Sequence, residues 1–123
     1  MDLQKFYQVI NATYDDLNEK HQYEIVFNAD HIVYKGHFPM QAVVPGVLQI
    51  EVFSDILNKI SSKQNKLKLV KNVKYISMIV PDDSLYILEL KMKKSEGFVH
   101  LSTLLTDKNK NKKTQFSAIY EVA

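Results

Sequence analysis

A chain of 123 residues with 46% apolar and 24% charged side chains can build one buried core but is short for two, so one domain over residues 1–123 is expected. Three glycines and three prolines exclude fibrous and low-complexity classes, and a formal net charge of +2 gives no footprint for nucleic acid. No apolar run reaches the eighteen or so residues of a membrane span, Met1 to Ile10 lacks the pattern of an export signal, and the absence of cysteine excludes disulfides, thiolate catalysis and Cys-based zinc sites, in keeping with a cytoplasmic protein.

Residues 1–18 carry scattered apolar positions (Leu3, Phe6, Tyr7, Ile10) that fit a helical turn or a first strand. From Gln22 to Asn28, Tyr23, Ile25 and Phe27 alternate with Glu24 and Val26, the period of a strand with one buried face. An irregular segment, Tyr34 to Pro45, follows. Pro45 and Gly46 then open a run with apolar residues at 47, 48, 50, 52, 53, 56, 57 and 60, which covers most of a helical circumference and predicts a largely buried helix, with Pro45 in its first turn. The polar stretch Ser61 to Lys66 ends it.

The remainder predicts four strands, Leu67 to Val80, Leu85 to Lys93, Phe98 to Thr106 and Thr114 to Val122, separated by turn signals at Pro81 to Ser84, Ser95 to Gly97 and Asp107 to Lys113. Four antiparallel strands after one apolar helix predict an α+β class, a helix wrapped by a curved antiparallel sheet.

The chemistry concentrates in residues 36–51, Gly-His-Phe-Pro-Met-Gln-Ala-Val-Val-Pro-Gly-Val-Leu-Gln-Ile-Glu. His37, Phe38, Pro39, Pro45, Gly46 and Glu51 match in identity and spacing the signature of the 3-hydroxyacyl-acyl-carrier-protein dehydratases, which this chain resembles over roughly residues 22–122. Ile79 to Leu85 is similar to the family's strand, turn and strand after the helix, which usually has a Gly where Asp82 or Asp83 stands. Met40, Gln41 and Ala42 depart from the usual residues, and the amino-terminal Pro-His-Arg-Pro-Phe stretch of the long-chain branch is missing.

The resemblance implies a hot-dog fold and dehydration of a 3-hydroxyacyl group to its trans-2-enoyl product, with no cofactor or metal. A neutral His37 is suited to take the proton beside the thioester carbonyl. Glu51, pushed toward the protonated acid by burial on an apolar helix, would protonate the departing hydroxyl. The free N–H groups and positive dipole end at Pro45-Gly46 suit the developing oxyanion, and the family assigns that contact to Gly46. Phe38, Pro39 and Val47 would line the acyl tunnel. The family also implies a homodimer in which His37 of one chain meets Glu51 of the other, and acyl carrier protein as partner.

Each residue also has an ordinary reading. His37 alone is a turn histidine, and Glu51, Asp55 and Asn58 at helical spacing could form one solvated stripe. His21, His31 and His100 fit surface or satisfied strand positions. Lysines 59, 63, 66, 68, 71 and 74 could attract an acidic carrier protein or simply keep the surface soluble. Two other functions compete: a hot-dog thioesterase, which the His-Phe-Pro sequence disfavours, and a non-catalytic acyl-binding or partner subunit. Isomerisation of the new double bond, which one branch of the family performs, is settled by no residue of this chain, although Val47 and Glu rather than Asp at 51 lean toward simple dehydration.

Overall fold

The computed structural model describes residues 3–34 and 42–122. A short 3-10 turn at Leu3–Lys5 leads into β1 (Tyr7–Asp15) and β2 (Lys20–Phe27); helix α1 (Gly46–Ser61) follows, then β3 (Asn65–Tyr75), β4 (Tyr86–Ser95), β5 (Phe98–Asp107) and β6 (Lys112–Val122). The strands form one six-stranded sheet in the order β1-β2-β4-β5-β6-β3, every neighbouring pair antiparallel. The sheet curves around α1, as the hot-dog resemblance implied. The four strands expected after the helix are all present, and the first strand, left open between helix turn and strand, is β1.

Period-2 alternation fixes which way each central strand faces. Leu88 and Leu90 of β4, Val99, Leu101 and Leu105 of β5, and Phe116, Ala118 and Tyr120 of β6 are buried with Ile25 and Phe27 of β2. They meet Val52, Phe53, Ile56 and Leu57 of the helix, with Phe53 and Phe116 ring centroids 5.4 Å apart. The hairpin turns use left-handed residues at Gly97 and Lys110, where the sequence signalled turns, and at Glu19 between β1 and β2, where it did not. Asp83 also has φ +62°; it stands in the turn where the resembling family usually has Gly, and Asp tolerates that conformation better than most side chains.

Helix α1 is largely buried, as expected, with Val47 the one expected apolar position that is exposed. Its fully buried positions are Gln49, Val52, Phe53, Ile56 and Leu57, one arc, while Val47 is 67% exposed. Leu48, Ile50 and Ile60 are partly buried against the same core, so of the expected apolar positions Val47 alone stands on the side that this chain's own sheet does not cover. Pro45 is the N-cap, extended at φ −62° and ψ 143°, rather than a residue of the first turn.

The two sheet edges are both open. β1 shows mainly polar side chains outward. On β3 every residue after Asn65 is exposed, and Leu67, Leu69, Val70, Val73 and Tyr75 are among them.

Candidate active site at the start of the helix

His37, Phe38, Pro39, Met40 and Gln41 lie outside the described residues, so the site is built here from its two flanks and from the helix. On the entering side, Phe6 contacts Phe27, His31 and Tyr34 with ring centroids 5.8, 5.4 and 6.1 Å away. Burial pushes the Tyr34 phenol up to about 12. The His31 Nδ1 accepts the Val33 N–H at 3.1 Å, so His31 is a satisfied structural histidine, as its ordinary reading held.

On the leaving side, the Val44 N–H donates to the Ile79 carbonyl at 2.8 Å, which ties the approach to the helix onto the segment after β3. Gln49, only 4% exposed, donates through Nε2 to the Val44 carbonyl at 3.2 Å and accepts the Thr114 hydroxyl at 2.5 Å. The N–H groups of Leu48 and Gln49 both donate to the Pro45 carbonyl at 3.1 Å. Gly46 and Val47 come first in the helix, and no backbone acceptor takes their N–H groups among the described residues, as the ends of helices require.

Tyr75 reaches from the end of β3 across this helix start. A methyl group added at Gly46 would overlap the Tyr75 ring and hydroxyl, so a residue without a side chain is required for the close approach. Around them is an open cleft of about 340 Å³, lined by Val44, Pro45, Gly46, Gln49, Tyr75 and Met78 among others.

Glu51 lies five residues into the helix beyond Gly46 and is exposed. At 100° per residue it points about opposite the buried arc, and at 1.5 Å per residue its Cα is about 7.5 Å along the axis from Gly46. The burial expected to hold it as a neutral acid is therefore not supplied by its own chain. The solvated stripe of Glu51, Asp55 and Asn58 is not formed either. Asp55 accepts a hydrogen bond from the Tyr7 hydroxyl and pairs with Lys59 at 3.2 Å, while Asn58 Oδ1 accepts the Asn65 N–H at 2.9 Å. Desolvation above all, helped by Asp55, raises the Tyr7 phenol well beyond its ordinary value. Tyr120 bonds Ser54 through its hydroxyl at 2.7 Å; burial foremost, with the Glu51 charge nearby, holds its phenol high.

Sequence reasoning missed Gln49, Thr114 and Tyr75. The signal was present for Gln49 alone, a long amide inside an otherwise apolar helical run, whereas Thr114 and Tyr75 needed the strand pairing Tyr75 to Thr114. Of the lysines considered for carrier docking, Lys59 is paired with Asp55 and Lys68 with Glu121 at 3.2 Å. A larger open groove of about 810 Å³, lined by Lys71, Lys91, Lys93, Lys94 and His100 among others, lies beside the β4–β5 hairpin, away from the helix start.

Comparison with known proteins bears on the family and the fold. Residues 13–117 match the model of the ApeI-like family, described as ApeI dehydratase. The 3-hydroxyacyl-[acyl-carrier-protein] dehydratase FabZ of Clostridium acetobutylicum is 35% identical over 80 residues, 59% of this chain and 55% of that protein; the chain spans about half the length of the curated relatives it matches. Among solved structures, the ApeI:P dehydratase heterocomplex of Xenorhabdus doucetiae superposes with a TM-score of 0.73 at 15% identity, covering 93% of this chain and 96% of that one. The (R)-hydratase of A. caviae gives 0.67 at 12% identity, covering 85% and 94%. At such identities the structures speak for the hot-dog fold.

Proposed function

Since the chain belongs to the ApeI-like dehydratase family, we propose that it removes water from a 3-hydroxyacyl group carried on acyl carrier protein, giving the trans-2-enoyl product. The observation that carries this is the placement of Glu51 on the uncovered side of α1, following a helix start whose first N–H groups have no backbone acceptor among the described residues. Side chains on a helix lean toward its N-terminus, so the Glu51 carboxyl leans toward Gly46. A thioester carbonyl on the Gly46 N–H and a hydroxyl two carbons away, offered to Glu51, span that interval. The N–H and the positive helix end stabilise the charge that develops on the carbonyl oxygen.

In this scheme His37 takes the proton from the carbon beside the carbonyl, the electron pair forms the new double bond, and the hydroxyl leaves as water with the proton of Glu51. Return of the proton from His37 to Glu51 resets the pair. Val47, exposed beside Glu51, with Phe38 and Pro39, lines the acyl path, and apolar walls are what such a path requires.

The site is completed by a second copy of the chain. Of the twelve large apolar side chains exposed among the described residues, eight are Val47, Leu67, Leu69, Val70, Val73, Tyr75, Ile76 and Met78, a concentration that marks an interaction surface. A second copy lying against them and pairing along β3 covers the open edge, buries Glu51, and brings it to the partner subunit's His37. Burial of this kind pushes a carboxyl toward the neutral acid that the donor role needs.

The test is turnover of 3-hydroxyacyl-acyl-carrier-protein substrates of several chain lengths. His37→Ala and Glu51→Gln are each expected to cost about 10²- to 10⁴-fold. Mixing the two inactive variants under subunit exchange restores about a quarter of native turnover, because half of the random dimers carry one intact site of two. Native turnover without recovery on mixing would place each site within one chain. Native protein that binds the acylated carrier and never dehydrates it removes the reading in favour of a non-catalytic partner subunit.

A further inference from the structure

Gln49 is buried in a helix where a leucine would meet the same neighbours without polar groups to satisfy. Exchanging Gln49 and Thr114 together for apolar groups of the same shape removes their mutual bond at little cost, so the amide is called for by its other partner, a backbone carbonyl at the helix start. What Gln49 does is grip two consecutive carbonyls. Its side chain holds that of Val44 at 3.2 Å, and its backbone N–H holds that of Pro45 at 3.1 Å.

Those two carbonyls fix the peptide planes on either side of Pro45. The proline ring restrains the φ between them, here −62°. In a trans peptide the N–H points opposite to the carbonyl. With the Pro45 carbonyl turned into the helix toward Leu48 and Gln49, the Gly46 N–H is turned outward, away from the helix and toward the cleft. Thr114, fully buried, completes the set by donating to Gln49 Oε1 at 2.5 Å, which leaves the Nε2 end free to face Val44. Because Thr114 pairs with Tyr75 across β6 and β3, the strand whose last residue roofs Gly46 is held by the same partner.

We infer that Gln49, oriented by Thr114, is a positioning residue that aims the Gly46 N–H at the substrate carbonyl. This rests on the reading of Gly46 as the carbonyl-binding group and deepens it. A carbonyl donor misaimed by a small rotation weakens the transition state more than substrate binding, since the charge it meets develops in the reaction.

The experiment uses the full chain as Gln49→Leu, Thr114→Val and the double variant, which removes both ends of the side-chain bond while keeping shape. In the double variant kcat is expected to fall about tenfold or more, with KM within about twofold and a melting temperature lowered only by the loss of the Val44 carbonyl's donor. A readout independent of turnover comes from selective ¹⁵N-glycine labelling, because the chain has three glycines and therefore three such signals. The Gly46 amide signal should shift or broaden in the double variant and in Thr114→Val with Gly97 unmoved, whereas Thr114→Ser with Gln49 native, which keeps the hydroxyl, should leave it in place.

Should Gln49→Leu fail to fold, Thr114→Val alone decides. Native kcat in the double variant, or a Gly46 signal that does not move, overturns the inference. Native protein without turnover, but with the Gly46 signal displaced in the double variant, removes the dehydratase reading while Gln49 stays the residue that sets the amide.

Discussion

β1 and β3 both end the sheet, yet they end it differently. Beside β1, Tyr7 turns under the helix and closes with Asp55 and Lys59, whose ammonium also lies 5.1 Å from the Tyr7 ring centroid; the outward side chains of that strand include Gln8, Asn11 and Thr13. Beside β3, an apolar row stands open, and the helix above it presents Val47 and Glu51. An unpaired strand edge is normally blunted by polar or charged side chains. β1 follows that rule with Gln8, Asn11, Thr13 and Asp15, and β3 with Lys66, Lys68, Lys71 and Lys74; what sets β3 apart is the row of Leu67, Leu69, Val70, Val73 and Tyr75 that stands exposed between its lysines. Asp55 and Lys59 beside β1 pair with each other, whereas the Glu51 carboxyl has no ion-pair partner among the described residues.

The largest effect should come from placing charge on the open row. Leu69→Asp together with Val73→Asp is expected to give a monomer by sedimentation and to lower turnover at least about a hundredfold, because a carboxylate buried without a partner costs about 3 to 5 kcal/mol. Ile10→Asp and Tyr14→Asp at the β1 edge should leave assembly and turnover at native levels. A β3 variant that stays dimeric and active breaks the distinction between the edges.

A smaller effect is expected where the β1 side is closed. Tyr7→Phe removes a donor to the Asp55 carboxylate while leaving its ion pair with Lys59, and should destabilise the fold by about 1 to 2 kcal/mol, read as a lower denaturant midpoint with an unchanged slope. kcat should not change. A large loss of kcat in a stable Tyr7→Phe protein would mean that this cluster, one turn beyond Glu51, belongs to the reaction.

The same two edges explain what could be read in the sequence. β2, β4, β5 and β6 alternate cleanly because one face of each is buried against α1, and burial is what writes alternation into a chain. β1 was left ambiguous because a register shift between Val9 and Asn11 interrupts its period. β3 carries two such shifts and buries neither face in this chain, so its sequence gives an apolar run and no inner face; the strand ends at Tyr75 and the expected continuation to Val80 is irregular. The helix is legible as a largely buried helix, and Val47 is the one expected apolar position that this chain's core does not take up. Gly46 and Glu51 stand out in the sequence by their spacing within a motif. Gln49 and Thr114, 65 residues apart, meet only through the fold.

The smallest effect distinguishes the edges by pH. His21 sits on β2 opposite Tyr14 of β1, their ring centroids 4.6 Å apart, and partial burial lowers its imidazole below the ordinary value. A histidine that resists protonation in the folded chain binds more protons when unfolded, so stability rises with pH across its titration. The contribution is present above the unfolded value near ~6.5 and is lost as the pH falls through that value toward the lower folded one. Melting temperatures from pH 7.5 down to 5 should therefore fall more steeply for the native protein than for His21→Gln. Such a difference should persist in the Leu69→Asp/Val73→Asp monomer, because the β1 side is built from one chain; if it disappears there, assembly reaches the β1 edge as well and the two edges are not independent.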